Sequence, residues 1–160
     1  MIVLVMGVAG AGKTTVGTLL AKELGWTFAD ADSYHPPENV KKMASGKPLT
    51  DADRAPWLAS LRKLIQTWIS TNESAVLACS ALKQTYRAQL QVSREVHVVY
   101  LRGTLGLIHK RMLHRSGHYM DPNLLQSQFD TLEEPSDAVV IDVSASPPNI
   151  VRQIRQRLAV

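Results

Sequence analysis

MIVLVMGVAGAGKTTVGTLLAKELGW, residues 1–26, is the stretch that decides the fold. Residues 2–6 are continuously apolar, Gly7, Gly10 and Gly12 interrupt them, and a helical pattern begins at Lys13. An unbroken apolar run is what a central parallel strand, covered on both faces, requires. Val16, Leu19, Leu20 and Leu24 then recur at helical spacing, and Gly25 supplies the stop. Residues 7–14 fit G-x-x-x-x-G-K-[ST] between that strand and that helix, the context in which the spacing has a mechanism. Glycines let consecutive backbone N–H groups turn inward, the helix N-terminus adds partial positive charge, and Lys13 reaches outer phosphates. Thr14 offers a hydroxyl to Mg²⁺. The bland alternative is a glycine-rich turn capped by Thr14 or Thr15.

Outward from this junction the chain alternates strands and helices. "WTFAD" reads as a second strand ending at Asp30, with Asp32 just beyond, and residues 33–55 as an excursion over the rim of the sheet with a short helix near residues 39–44. Thr50 and Asp53 have capping-box spacing, Pro56 falls in a first turn, and Trp57, Leu61, Leu64 or Ile65, and Trp68 make one stripe of a long helix. "SAVLACS", "EVHVVYLR" and "AVVIDV" are three further strands. Helices follow each: one from "LKQTYRAQLQ", one marked by Leu105, Ile108, Met112 and Leu113, one capped by Asp121 with Leu125, Phe129 and Leu132 inside, and a last one carrying Ile150, Ile154 and Leu158. No hairpin signal occurs, so a three-layer α/β unit with right-handed crossovers is expected.

The chain has 160 residues, which a single domain with one hydrophobic core accommodates. Hydrophobic residues make up 45% and charged residues 20%, a globular composition. The net charge of +4 favours an anionic partner, yet no basic block is long enough to read as a nucleic-acid footprint. Cys79 is the only cysteine, which excludes an internal disulfide and a zinc site built on several thiolates, and suits a reducing compartment. The first apolar run lacks a basic leader and a cleavage site, and no run is long enough to cross a bilayer, so a cytoplasmic protein is expected.

Switch and motor nucleotidases usually place a second acid at the end of an apolar strand, but the third strand here ends in "LACSA". Asp30 and Asp32, two positions apart and so expected to point the same way, can face the crevice at the carboxyl edge of the sheet. One would hold Mg²⁺ through water and the other orient an acceptor hydroxyl. "KRMLHRSGHYMDPN" has the makings of a water-excluding lid, with Lys110, Arg111 and Arg115 near a helix end and Gly117 as a hinge. His35, Arg54, Lys83 and Arg87 follow strand ends or open the helices beyond them, and would surround an acceptor bearing a carboxylate. Arg54 has the planar fork for that group, unless it pairs with Asp51 and Asp53 beside it. Trp57, Trp68, His97 and Cys79 read as packing residues, while Tyr34, Tyr86 and Tyr119 either offer a hydroxyl or cover an apolar edge.

"MGVAGAGKTTVG", "DADSYHPPENVKKMASGKPLTDADRAPWL", "ACSALKQTYR" and "GHYMDPNLLQSQFDTLEEP" together resemble gluconokinases of the small P-loop type, a group related to shikimate kinases. The resemblance covers essentially the whole chain. It implies a P-loop kinase fold with a five-stranded parallel sheet in order 2-3-1-4-5 and a mobile lid at about 114–124. It also implies ATP- and Mg²⁺-dependent phosphorylation of D-gluconate at the 6-hydroxyl, and a homodimer. Carried over by position, Gly7, Gly10, Ala11, Gly12, Lys13, Thr14 and Thr15 form the phosphate cradle, and Arg111 lies on adenine. Asp30 and Thr14 fall on the metal side, and Asp32 meets the acceptor hydroxyl. Arg54, Lys83, Arg87 and His35 surround the acceptor, with Arg115 and His118 in the lid. The chain lacks the glycine triplet that shikimate kinases carry after the third strand, which weakens shikimate as acceptor. It also has Ala9 and Ala11 where serines are usual, a small loss because the cradle works through backbone amides. The rivals are a kinase for another small acid or a nucleoside monophosphate, and a nucleotide-dependent switch.

Overall fold

The computed structural model describes residues 1–114 and 122–160. The described residues form β1 (Ile2–Met6), α1 (Lys13–Leu24), β2 (Thr27–Asp30), a 3-10 turn (Ala31–Tyr34), α2 (Pro37–Ala44), α3 (Asp51–Ser70), β3 (Ala75–Ala78), α4 (Gln84–Leu90), β4 (Val96–Arg102), α5 (Leu105–Leu113), α6 (Pro122–Thr131), β5 (Val139–Asp142) and α7 (Pro147–Leu158). The five strands make one parallel sheet in the order β2-β3-β1-β4-β5, as the resemblance implies.

All five residues of β1 are completely buried, because strands flank it on both edges and helices cover both faces. Strand pleating divides its side chains between two cores. Ile2, Leu4 and Met6 pack with Trp57, Leu58, Leu61, Ile65 and Trp68 of α3 and with Tyr86 and Leu90 of α4. Val3 and Val5 pack on the opposite face with Val16 and Leu20 of α1, Ile108 of α5, Leu125 of α6, and Ile150 and Ile154 of α7. Each fully buried aliphatic side chain contributes about 1.5–3 kcal/mol. The α3 stripe uses Ile65, and Leu64 lies at its half-buried margin.

The capping box of α3 is formed, with Asp53 N–H donating to Thr50 Oγ1 at 3.1 Å and Thr50 N–H donating to Asp53 Oδ2 at 2.8 Å. This cap starts α3 at Asp51, so Pro56 stands in the second turn, not the first as the sequence suggests. The ring removes the backbone donor to Ala52 O, but both residues are exposed and water can replace it. Leu113 also departs from expectation. It is 63% exposed at the end of α5 and does not join the core. Asp121, expected to cap α6, lies outside the described residues.

The connection from β1 leads toward β2, and that from β4 leads toward β5 on the other side of β1. The crevice beyond the carboxyl ends of the strands opens at such a reversal, and the loop after β1 lies there.

Candidate active site

Gly12 heads α1 at φ 96° with no side-chain cap, so the first-turn amides are left for a ligand. A β-carbon would be strained at that φ. At Gly10, φ 79°, the same strain is joined by a close contact: an added Cβ would sit 2.8 Å from Met112 Sδ of α5. Lys13 Nζ donates to Val8 O at 2.9 Å and so lies folded along its own loop. Burial pulls the Lys13 ammonium below its usual pKa, against the raising fields of Asp32, Cys79 and Asp30.

The loop forms one wall of a cleft of about 560 Å³. Ala9, Gly10, Gly12, Lys13, Thr14 and Thr15 line it from the cradle, and Asp30 and Asp32 from the end of β2. His35, Met43, Lys47, Pro48, Leu49, Arg54 and Trp57 come from the excursion and α3. Ser80 and Leu82 follow β3, and Leu124, Ser127, Gln128 and Thr131 complete it from α6.

Asp30 and Asp32 share the cleft, but not through strand alternation. Asp32 lies in the 3-10 turn, where its N–H donates to Asp30 Oδ1 at 3.0 Å. The other Asp30 oxygen accepts from Thr14 Oγ1 at 3.0 Å. Burial raises the Asp32 pKa, the Asp30 carboxylate raises it further, and Lys13 and His35 oppose both. Thr14 and Asp30 present hard oxygen donors side by side next to the cradle, a donor set that fits Mg²⁺. Among the described residues no cluster of three or more His, Cys, Asp or Glu marks a metal cage held by protein alone.

His35 stacks on Trp57, with ring centroids 4.3 Å apart and 12° between planes. Trp57 Nε1 donates to Ala31 O at 2.7 Å, so one tryptophan carries both His35 and the turn that holds Asp32. Buried Asn39 donates through Nδ2 to Asp53 O at 2.8 Å, which fixes its amide, and the same nitrogen lies 3.2 Å from His35 Nδ1. Nδ1 therefore accepts, and the imidazole carries its proton on Nε2. Burial, aided by Arg54, lowers the His35 pKa against the pull of Asp32, which favours this neutral form.

Arg54 does not pair with its neighbouring acids. Its Nη1 donates to Leu49 O at 2.8 Å and to Tyr86 Oη at 3.1 Å. Asp53 is engaged by Lys42 at 2.6 Å, and Asp51 by Lys83 at 3.1 Å and by the Tyr86 hydroxyl. Lys83 was expected at the acceptor, but its ammonium is committed to Asp51 and it is not a cleft residue.

Arg87 requires a firmer correction. It is 1% exposed and outside the cleft, its Nη1 donating to Ala81 O at 2.7 Å and its Nη2 to Glu133 O at 2.7 Å. A single sequence cannot tell a buried brace from a ligand-binding arginine, since both follow a strand end. Arg115 and His118, and most of the expected lid at 114–124, lie outside the described residues. Cys79 is buried and its thiol is pushed up to about 12, which makes it a packing group.

A second cleft, of about 510 Å³, adjoins the first across Gly10, Gly12 and Thr15. Ala11, Val16, Arg111 and Met112 line it with the segment Ser144, Ala145, Ser146 and Pro147 that leads into α7. Asp142 Oδ1 accepts from Ser144 N at 2.8 Å and shapes that segment. The sequence offered no motif for it. Asn39 and the α6 wall were missed for a different reason: they look like ordinary polar residues on helices.

A family model described as shikimate kinase matches residues 9–159. A gluconokinase of Gluconobacter oxydans is 48% identical over 150 residues, spanning 92% of this chain and 84% of that protein. A probable gluconokinase of Xenopus tropicalis is 44% identical over 173 residues, spanning 96% and 91%. A solved gluconokinase from Sinorhizobium meliloti 1021 has a TM-score of 0.89 at 42% identity, covering 98% of this chain and 90% of that one.

Proposed function

The chain belongs to the shikimate kinase family and, within it, to the gluconokinases, and from that premise we propose that it transfers the γ-phosphoryl group of ATP to the 6-hydroxyl of D-gluconate. The observation that carries the mechanism is the single cleft in which Lys13, Asp32 and Arg54 meet. Triphosphate oxygens occupy the cradle amides of Gly10, Ala11, Gly12, Thr14 and Thr15, while the tight turn at Gly7 starts it. Lys13 turns from Val8 O onto the outer phosphates. The nucleoside extends into the second cleft, its base beside Arg111 and the 144–147 segment.

Thr14 and Asp30 would hold Mg²⁺, which would supply positive charge against the triphosphate. Gluconate lies against α3 and the excursion at 33–55. The free face of the Arg54 guanidinium meets its carboxylate, and His35 Nε2–H donates to a hydroxyl. Asp32 aims the 6-hydroxyl and takes its proton as the new oxygen–phosphorus bond forms and the bond to the β-phosphate oxygen breaks, releasing ADP. The transition state is loose, so aiming matters more than basicity. By family resemblance Arg115 neutralises the transferring group and His118 reaches the acceptor from the lid. The same resemblance supports a homodimer, while length, charge pattern and cysteine usage support a single cytoplasmic domain that acts on small molecules and not on nucleic acid or membrane. No helix among the described residues is long and apolar enough to cross a membrane.

The test is coupled ADP release against gluconate, shikimate, other sugar acids and nucleoside monophosphates. Gluconate should exceed the others by orders of magnitude, and a flat response would reject this acceptor. Lys13→Ala should abolish transfer while leaving the fold intact.

A further inference from the structure

One peptide of the phosphate cradle is held from both ends. Its carbonyl, Val8 O, accepts from Lys13 Nζ at 2.9 Å, and its N–H, on Ala9, donates to Gln128 Oε1 at 2.7 Å. A backbone amide can only donate, so this contact also fixes the carboxamide with its oxygen toward the loop. Gln128 is carried on α6, whose far end is tied down independently. Just past that helix, Glu133 N–H donates to Leu82 O at 2.8 Å, and Glu133 Oε1 accepts from Gln84 N at 2.7 Å.

The two holders are not equivalent once a triphosphate arrives. Lys13 is both the partner of Val8 O and the cation that must move onto the outer phosphates. When it moves, Val8 O keeps the turn bond from Ala11 N–H at 3.2 Å, which lies within the loop itself, and among the described residues Gln128 is the partner that ties this peptide to an element outside the loop. We infer that Gln128 is a positioning residue for phosphoryl transfer, which holds the Ala9 amide against α6 while Lys13 passes from the loop to the nucleotide. The inference rests on the cradle reading above but not on the identity of the acceptor.

The experiment compares the wild-type protein with Gln128→Met, which is similar in size and lacks the carboxamide oxygen, and with Gln128→Ala should the first not fold. Gln126→Met is the control, since among the described residues the partner of Gln126 Nε2 is Asp130 on the same helix. Calorimetric titration with a non-hydrolysable ATP analogue and Mg²⁺, without gluconate, is read beside the KM for each substrate and the melting midpoint. Weakening of analogue binding and a rise in the ATP KM of about tenfold are expected, the size of one amide bond lost. The gluconate KM should stay within about twofold on the same scale, with the melting midpoint and the control unchanged. Unaltered analogue binding overturns the inference. So does a rise confined to the gluconate KM, or a loss that follows a fallen midpoint. If the wild type itself does not bind the analogue, the cradle reading falls first and takes the inference with it.

Discussion

The hydroxyl of Thr14 donates to Asp30 Oδ2 at 3.0 Å, joining the first turn of α1 to the last residue of β2 across a gap of sixteen positions in the chain. Asp30→Asn keeps the shape and removes the charge. It should raise the Mg²⁺ concentration for half-maximal activity by on the order of tenfold, as weakened outer partners of a metal do. The gluconate KM should be unaffected. Unchanged Mg²⁺ dependence in Asp30→Asn would remove this acid from the metal side.

In the proposed mechanism Asp32 serves the acceptor hydroxyl, not the metal. Asp32→Asn should lower turnover by roughly 10²–10⁴-fold, the range associated with a positioned proton acceptor. Because burial and Asp30 raise the pKa of this carboxyl above 3.8, the reactive ionised form is lost as pH falls through that raised value. In the metal-free protein the Asp32 carboxyl should therefore titrate above the ordinary carboxylate range, and that titration should be absent from Asp32→Asn. Carboxyl NMR titration of the two proteins without Mg²⁺ checks this.

Arg54 holds Leu49 O and Tyr86 Oη through one nitrogen. Arg54→Lys keeps the charge but not the fork. Its gluconate KM should rise by roughly tenfold or more, the size of a lost charged hydrogen bond, with the ATP KM little altered. Equal rises in both constants would show a general collapse of the cleft instead.

Arg87→Met should act on stability. It strips donors from the buried carbonyls of Ala81 and Leu82 and from the part-buried Glu133 carbonyl, and each deserted buried acceptor costs about 1–3 kcal/mol. Urea unfolding should show a loss of about 3 kcal/mol or more. A stable variant whose only defect is gluconate affinity would return Arg87 to the acceptor site.

Asp53 links stability to pH. Lys42 and the Thr50 amide hold its carboxyl at about 2, below the value of 3.8 for a free aspartate. The depressed pKa means that its contribution is fully present above about 3.8 and disappears as pH falls toward about 2. Melting midpoints of wild type and Asp53→Asn should converge through that window and differ above it. Parallel curves down to pH 2 would contradict the assignment.

The cradle was legible because every part of it is local. A strand, a glycine turn, a lysine and a helix start occur within residues 2–24, and helix and strand periods arise from neighbours in sequence. The α3 cap and stripe were legible for the same reason. Asp30 and Asp32 both line the cleft, but the 3-10 turn and not strand alternation brings them together. Lys83 and Arg87 show where such reasoning stops. Position after a strand end does not reveal that Asp51 takes one cation and backbone carbonyls take the other.

What the amino-acid order determined by itself was the sequence of strands and helices, the glycine-rich strand-to-helix junction and, through its family likeness, the order of the sheet. Only the tertiary structure decided which polar side chains remain available to a ligand. A charge close to a carboxylate or a carbonyl is used up by it; the partner of Lys83 is 32 residues away, and Arg87 joins Ala81, six residues away, to Glu133, 46 away. The reach of Gln128 to Ala9, across 119 residues, has the same origin: such pairings exist only after α6 packs over the carboxyl edge of the sheet.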